Sequence, residues 1–347
     1  MKVEEALSQP DRSTPGIDRD AVSAWLTEHV DGFTGPATYQ LIAGGRSNLT
    51  YLVTDAAGKQ YALRRPPTGS VLASAHDMGR EWKYISAMQG SGVPVARPLA
   101  FCDDHSVTGA DFYVMDYVEG IVLGSEEDAE KVSLDARAKA SEDIADVLAA
   151  LHAIDIDGLD VPGSRKTSGY IQRQVERWTA QVEAVMPPET DRVRTIARML
   201  IEDIPPQITG IAHGDFRMGN VAVNPDGKIV AVFDWELATT GDVLADLGWL
   251  ISSWSQPGEE YATTRTPTGA PGFWTRDQVA QRYAEKSGND ISRLDFYVAF
   301  QRWRGACIQL GVRHRYEAGA MGDDGYDHRQ LDALIDHALR AADKSLR

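Results

Sequence analysis

The sequence predicts an α+β chain of two lobes, an antiparallel five-stranded sheet with one helix followed by a mainly helical lobe that holds a single β-hairpin. Three observations carry that expectation. Short runs rich in Val, Leu, Tyr and Thr crowd residues 39–118, and helical periodicity dominates from Asp135 onward. Between two apolar runs of the helical half stands one Asn-Pro-Asp-Gly turn, a strong hairpin signal.

After a polar, acidic start, IDRDAVSAWLTEHV sets Val22, Trp25, Leu26 and Val30 near helical spacing behind Asp18, an N-cap residue, and reads as an outer helix. TYQLIAGG, NLTYLVTD and KQYALRR follow as an antiparallel meander, the last two joined by the turn-like AAG. From about Ser74 to Gln89, Met78, Trp82, Ile85 and Met88 share a helical face, which the breaker run SGVPVARP ends. RPLAFC and DFYVMDYV complete five strands. The polar run EGIVLGSEEDAEK marks the change of lobe, and Asp135–His152 lines up Ala140, Ile144, Val147, Leu148 and Leu151. Helical patterns recur over Gln172–Val185, Arg192–Ile204, Val243–Trp254, Arg276–Glu285 and Arg293–Tyr316. The stretch TTRTPTGAPG reads as a surface loop. The expected divisions are a tail and outer helix over 1–36, an N-terminal lobe over 37–118 and a C-terminal lobe over 119–347.

Composition removes several functions. With 43% apolar and 25% charged residues in 347, the chain can bury a large core. No apolar run approaches the roughly 18 residues of a membrane span, and the N-terminus has no apolar signal region, so the expected location is the cytoplasm. Two cysteines, Cys102 and Cys307, are too few for a disulfide framework or a zinc site. A formal charge of -16 argues against nucleic-acid or anionic-membrane partners, because both need Lys and Arg over phosphates. The expected partner is a small molecule, and the chain a monomer or homodimer.

The informative segment is IAHGDFRMGNVAVNPDGKIVAVFDWE. It presents His213, Asp215 and Asn220 as H-x-D-x-x-x-x-N, then the hairpin, then Asp234 at a strand end. Phosphoryl transfer needs a carboxylate for the attacking hydroxyl, oxygen ligands for Mg²⁺ and cations along the phosphates. A tight hairpin between Asn220 and Asp234 returns the second carboxylate beside the first loop. Upstream, AGGRSNLTYLV is a glycine-bearing turn between strands whose backbone N–H groups and Ser47 can face phosphates. A metal-dependent hydrolase fits poorly, since of eight histidines only His213 lies in the motif.

This spacing resembles the catalytic loop and metal-binding aspartate of the protein-kinase-like fold, in its aminoglycoside phosphotransferase branch, where HGD replaces the HRD of protein kinases. The resemblance implies ATP and Mg²⁺ as cofactors and a small-molecule alcohol as acceptor. Asp215 is then the base, Asn220 and Asp234 are metal ligands, His213 shapes the loop and Arg217 lies near the transferred phosphate. Gly45 and Ser47 fall in the phosphate-covering loop. Arg64 stands where a kinase presents its third-strand lysine, with Arg65 as the alternative, and Glu81 is the helix partner. The backbone of Asp116, Tyr117 and Val118 resembles the hinge that reads the adenine edge. Asp242 and Asp246 either support the loop or cap the next helix.

GGRSNLTY, YALRRPP, HGDFRMGN and DWELATTGDVLADLG are similar to the kinase domains attached to acyl-CoA dehydrogenases and to their free-standing bacterial relatives. That similarity implies a hydroxyacyl-CoA acceptor. An antibiotic kinase of the aminoglycoside or macrolide type, and a nucleotide-binding protein without transfer activity, are the alternatives. The acceptor pocket is expected among the C-terminal helices, where Trp254, Trp274, Trp303, Arg302, Arg304, Arg313 and His314 offer aromatic and cationic groups, each by itself readable as core or surface.

Overall fold

A computed structural model of the chain describes residues 14–43, 48–68, 77–163, 168–259, 266–319 and 327–347. It divides into two compact units, Met1–Gln89 with Val95–Val118, and Gly90–Pro94 with Glu119–Arg347.

The first unit is built on a sheet of β1 (Thr38–Ala43), β2 (Leu49–Thr54), β3 (Gln60–Arg65), β4 (Pro98–Cys102) and β5 (Phe112–Asp116), in the order β1-β2-β3-β5-β4 with every pairing antiparallel. Alternation sends Tyr51, Val53, Tyr61 and Leu63 to one face, where each is fully buried. Helix α1 (Arg19–His29) covers that face with Val22 and Leu26. Each side chain of this size contributes about 1.5–3 kcal/mol on full burial. Asp18 caps α1 by accepting the Ala21 N–H at 3.0 Å, as its position predicts. Helix α2 (Met78–Ala87), capped by Asp77, packs on β4 and β5 and brings Glu81 to the sheet. A short helix α3 (His105–Thr108) joins β4 to β5.

The second unit is mainly helical. Its elements are β6 (Ile121–Val122), α4 (Glu126–Ala129), α5 (Leu134–His152), α6 (Tyr170–Val185), α7 (Thr190–Glu202), β7 (Thr209–Ala212), β8 (Val221–Val223), β9 (Ile229–Val232), β10 (Thr239–Asp242), α8 (Leu244–Ser252), α9 (Arg276–Ser287), α10 (Leu294–Glu317) and α11 (Gln330–Ser345). The Asn-Pro-Asp-Gly turn joins β8 to β9 as expected, Asn224 Oδ1 accepting the Asp226 and Lys228 N–H groups at 3.1 and 2.9 Å. Gly227 closes it at φ 83°, where a Cβ would sit 1.9 Å from the Ala136 carbonyl oxygen. Only glycine fits there.

The sequence reading gave this unit one strand pair, but a second exists. β7 and β10 align Ala212 with Thr239 and Thr209 with Asp242, so the chain on either side of the hairpin is tied together. The last helix, α11, was also missed. Its Leu331, Ile335, Leu339 and Ala342 form a buried stripe, and it packs on α10 and α7. No helix among the described residues is long and apolar enough to cross a membrane.

Candidate active site

The segment 213–220 runs from the end of β7 to the start of β8, and Asp234 follows the end of β9. Because Val221 pairs with Val232, the two ends meet: the Phe233 N–H donates to the Asn220 carbonyl at 2.8 Å. The His213 ring ties them again. Its Nε2 lies 2.8 Å from the Phe233 carbonyl, and Nδ1 lies 3.3 Å from the Asp215 N–H. Both bonds are satisfied by one tautomer, with the proton on Nε2. The ring is fully buried, 4.8 Å from Trp235 and 5.8 Å from Phe216, so it braces the loop from within. Gly214 has φ 87°, and a Cβ there would lie 2.7 Å from the Leu237 carbonyl oxygen, which explains the glycine between His213 and Asp215.

Asp215 holds its carboxylate in a fixed pose. Trp249 Nε1 donates to Oδ1 at 2.7 Å, Asn220 Nδ2 donates to Oδ2 at 2.7 Å and to the Asp215 carbonyl at 2.8 Å, and Arg217 Nε stands 3.4 Å away. The side chain still keeps 21% of its surface exposed, so it remains reachable. With its amide nitrogen committed, Asn220 retains an amide oxygen that accepts no hydrogen bond among the described residues. Asp234 adopts φ 66°, ψ 58°, left-handed backbone that costs an ordinary residue about 1–2 kcal/mol. Among the described residues only Met186 shares this among non-glycines. Such strain persists where surrounding bonds over-determine the backbone, and here the Phe233 N–H and C=O are both held.

Below the loop lies a buried carboxylate. Asp246, on α8, accepts the N–H of His213 at 2.5 Å and of Gly214 at 2.9 Å. His152 Nε2 is 3.5 Å from it, and His152 Nδ1 meets the Tyr283 hydroxyl at 2.7 Å. Burial alone pushes the Asp246 carboxyl up, yet the His152 contact and the loop N–H groups outweigh it and hold it below the usual carboxylate range. Asp246 therefore supports the loop. Asp242 ends β10, accepts the Leu244 N–H at 3.3 Å and the Tyr297 hydroxyl at 2.8 Å, and burial pushes its carboxyl up to about 6.

In the first unit, Glu81 is fully buried and accepts four donors: Arg64 Nε at 2.9 Å, Arg64 Nη2 at 3.0 Å, Asn48 Nδ2 at 3.1 Å and Tyr113 OH at 2.8 Å. A forked guanidinium makes two of these bonds, where a lysine would make one. Arg65 points to the other face, and its guanidinium donates to the carbonyls of Pro66, Gly16 and Thr108. Arg64 is thus the arginine that meets Glu81. The Asp116 N–H is already taken by the Arg97 carbonyl at 2.9 Å, and its carboxylate pairs with Arg97 at 2.8 Å, which removes that amide from ligand reading. Tyr117 and Val118 have no such backbone commitment among the described residues. Gly45 and Ser47 lie outside the described residues.

The second unit contains a cavity of about 970 Å³ whose wall includes Trp249. Of the aromatic and cationic residues expected at an acceptor pocket, Trp254 and Arg302 line it. Trp303 is core, its Nε1 donating to the Val193 carbonyl. Arg304 donates to Gln301, and Arg313 and His314 line a separate cavity of about 350 Å³, where Glu189 and Asp332 neutralise Arg313. Trp249 itself was overlooked, though its position three residues after Asp246 on one helix face was legible.

Known proteins resemble the chain over most of its length. The family model described as the phosphotransferase enzyme family matches residues 38–297. Acyl-CoA dehydrogenase family member 11 of Mus musculus is 30% identical over 347 residues, covering 95% of this chain but 44% of that protein, so the chain spans less than half of the relative. A Ralstonia eutropha crystal structure provisionally named an aminoglycoside phosphotransferase is 30% identical, with a TM-score of 0.76 over 94% of this chain and 98% of the other. An aminoglycoside phosphotransferase solved with ADP and hygromycin B gives 0.59 at 18% identity over 92% and 98%, a likeness of fold alone. With that match covering the sheet, the loop and the hairpin alike, the chain belongs to the phosphotransferase enzyme family.

Proposed function

We propose that the protein is a small-molecule kinase that moves the γ-phosphate of ATP to a hydroxyl group. One observation carries the reading: the Asp215 carboxylate, the Asn220 amide oxygen and the strained Asp234 are tied into one loop-and-hairpin unit by the Phe233 bonds. Asp215 accepts the proton of the attacking hydroxyl. The acceptor oxygen then bonds to the γ-phosphorus while the bond to the bridging oxygen breaks and ADP leaves. Asn220 and Asp234 offer hard oxygen donors suited to Mg²⁺, which when bound neutralises phosphate charge. Arg217 stands by the base to meet the transferred phosphate, and Arg64, oriented by Glu81, holds the phosphates upstream. The amides of Tyr117 and Val118 read the adenine edge. Residues 37–118 would form the nucleotide lobe and 119–347 the catalytic and acceptor lobe.

For the acceptor we favour a hydroxyacyl-CoA over a polycationic aminoglycoside. Of the cations that wall the cavity beside Trp249, Arg276, Arg340 and Arg347 are paired with Glu259, Asp336 and Asp343, whereas Arg302 and Lys344 have no ion pair among the described residues, which suits an anion. The relatives named for acyl-CoA dehydrogenase point the same way. A coupled ADP-release assay over hydroxyacyl-CoAs, aminoglycosides, macrolides, choline-like amino alcohols and sugars tests it. Turnover with the thioesters alone is the expected result. Mg-ATP binding without ADP release in any class would instead make the protein a nucleotide binder.

A further inference from the structure

Resting on the kinase reading, we propose that Arg302 binds an anionic group of the acceptor, a carboxylate or a phosphate, with Lys344 as a second cation of the same cavity. The cavity and the base share a residue, because Trp249 lines the one and donates to the other at 2.7 Å. Its cations are not equivalent. Arg276 is gripped by both oxygens of Glu259, Arg340 lies 2.7 Å from Asp336, and Arg347 lies 3.0 Å from Asp343. Arg302 and Lys344 have no hydrogen bond or ion pair among the described residues.

Arg302 projects from the middle of α10, between the buried Gln301 and Trp303, and is itself half-buried. Removing a guanidinium from water without a counter-ion is unfavourable. Burial, and then the neighbouring Arg276, lower its hold on the proton, whereas Glu259 and Asp295 act the other way. Glu259 is already spent on Arg276, and Asp295 is exposed. An incoming anion therefore gains a bidentate, partly desolvated partner, and a polycation meets two positive charges that no ion pair neutralises among the described residues.

The test reads binding rather than transfer, on the full chain saturated with Mg-AMP-PNP so that the nucleotide site is filled. One pair of probes is CoA and pantetheine, followed by calorimetry; the other is 3-hydroxybutyrate and 3-hydroxybutyramide, followed by ligand-observed NMR. Wild type should favour the charged member of a pair, the first identifying phosphate and the second carboxylate. Arg302→Gln should cut that preference about tenfold, the worth of a charge-assisted bond, and Arg302→Lys should keep part of it. Lys344→Gln, a surface change, should cut it about threefold, and keeps the test open if Arg302→Gln does not fold. Equal binding within both pairs, or a preference untouched by Arg302→Gln and Lys344→Gln, overturns the proposal. Failure of the kinase reading shows separately, as absence of ADP release.

Discussion

Replacing Asp242 with Asn should stabilise the second unit selectively near neutral pH. Asp242 is fully buried, and its carboxyl is pushed from 3.8 up to about 6 because burial outweighs the bonds from Tyr297 and Leu244. At about 1.4 kcal/mol per pKa unit, keeping this group ionised above pH 6 costs the fold roughly 3 kcal/mol. The sign is the reverse of an ordinary ion-paired carboxylate. The raised value means the folded state holds a proton that the unfolded chain has released, so the contribution is whole below about pH 4 and is lost as pH rises to 6. Asparagine has no proton to lose, and its amide can still bond the Tyr297 hydroxyl, which both donates and accepts. The measurement is urea unfolding followed by tryptophan fluorescence, since six of the eight tryptophans belong to the second unit. The difference between variant and wild type should move by about 3 kcal/mol in favour of the variant between pH 4 and pH 7. Other carboxylates cancel in that difference. A difference that stays flat across this range refutes the reasoning.

Trp249→Phe keeps the ring but removes the donor to Asp215 Oδ1; kcat should fall about tenfold, near the lower worth of a hydrogen bond to a charge, with Mg-ATP affinity unchanged in a titration. Asp215→Ala should abolish phosphate transfer while leaving nucleotide binding largely intact, and Asp234→Ala should weaken Mg-ATP binding as well; calorimetry beside ADP release separates the two. Arg64→Lys should lower kcat/KM for Mg-ATP about tenfold by losing one of two bonds to Glu81, so an unchanged value would mean that only charge matters there. Glu81→Gln leaves Arg64 beside an uncharged amide in a buried setting and should cost about 3 kcal/mol by urea unfolding.

The strands and the hairpin were legible because their signals are local: alternating apolar residues in β2 and β3, and the Asn-Pro-Asp-Gly turn. The loop residues were legible because spacing fixes them, Asn220 returning its amide to Asp215 five positions back. What escaped depends on distant pairing. The β7 and β10 partners are four residues each and carry little pattern, and no local rule says that the Asp116 amide is already used by Arg97. Asp246 was open between two roles, since choosing requires knowing that α8 lies under the His213 backbone. Helix α11 carried a readable apolar stripe that was passed over.

On α8, Asp246 and Trp249 stand three residues apart. One fastens the main chain of the loop, the other the Asp215 carboxylate, and the indole is also a panel of the cavity. On the proposed reading, a single helical turn is thereby the mount on which base and acceptor chamber are jointly aligned. On that reading, a compound wedged against the indole should lower phosphate transfer by misaiming Asp215 without touching it, which an ADP-release assay beside a binding titration checks.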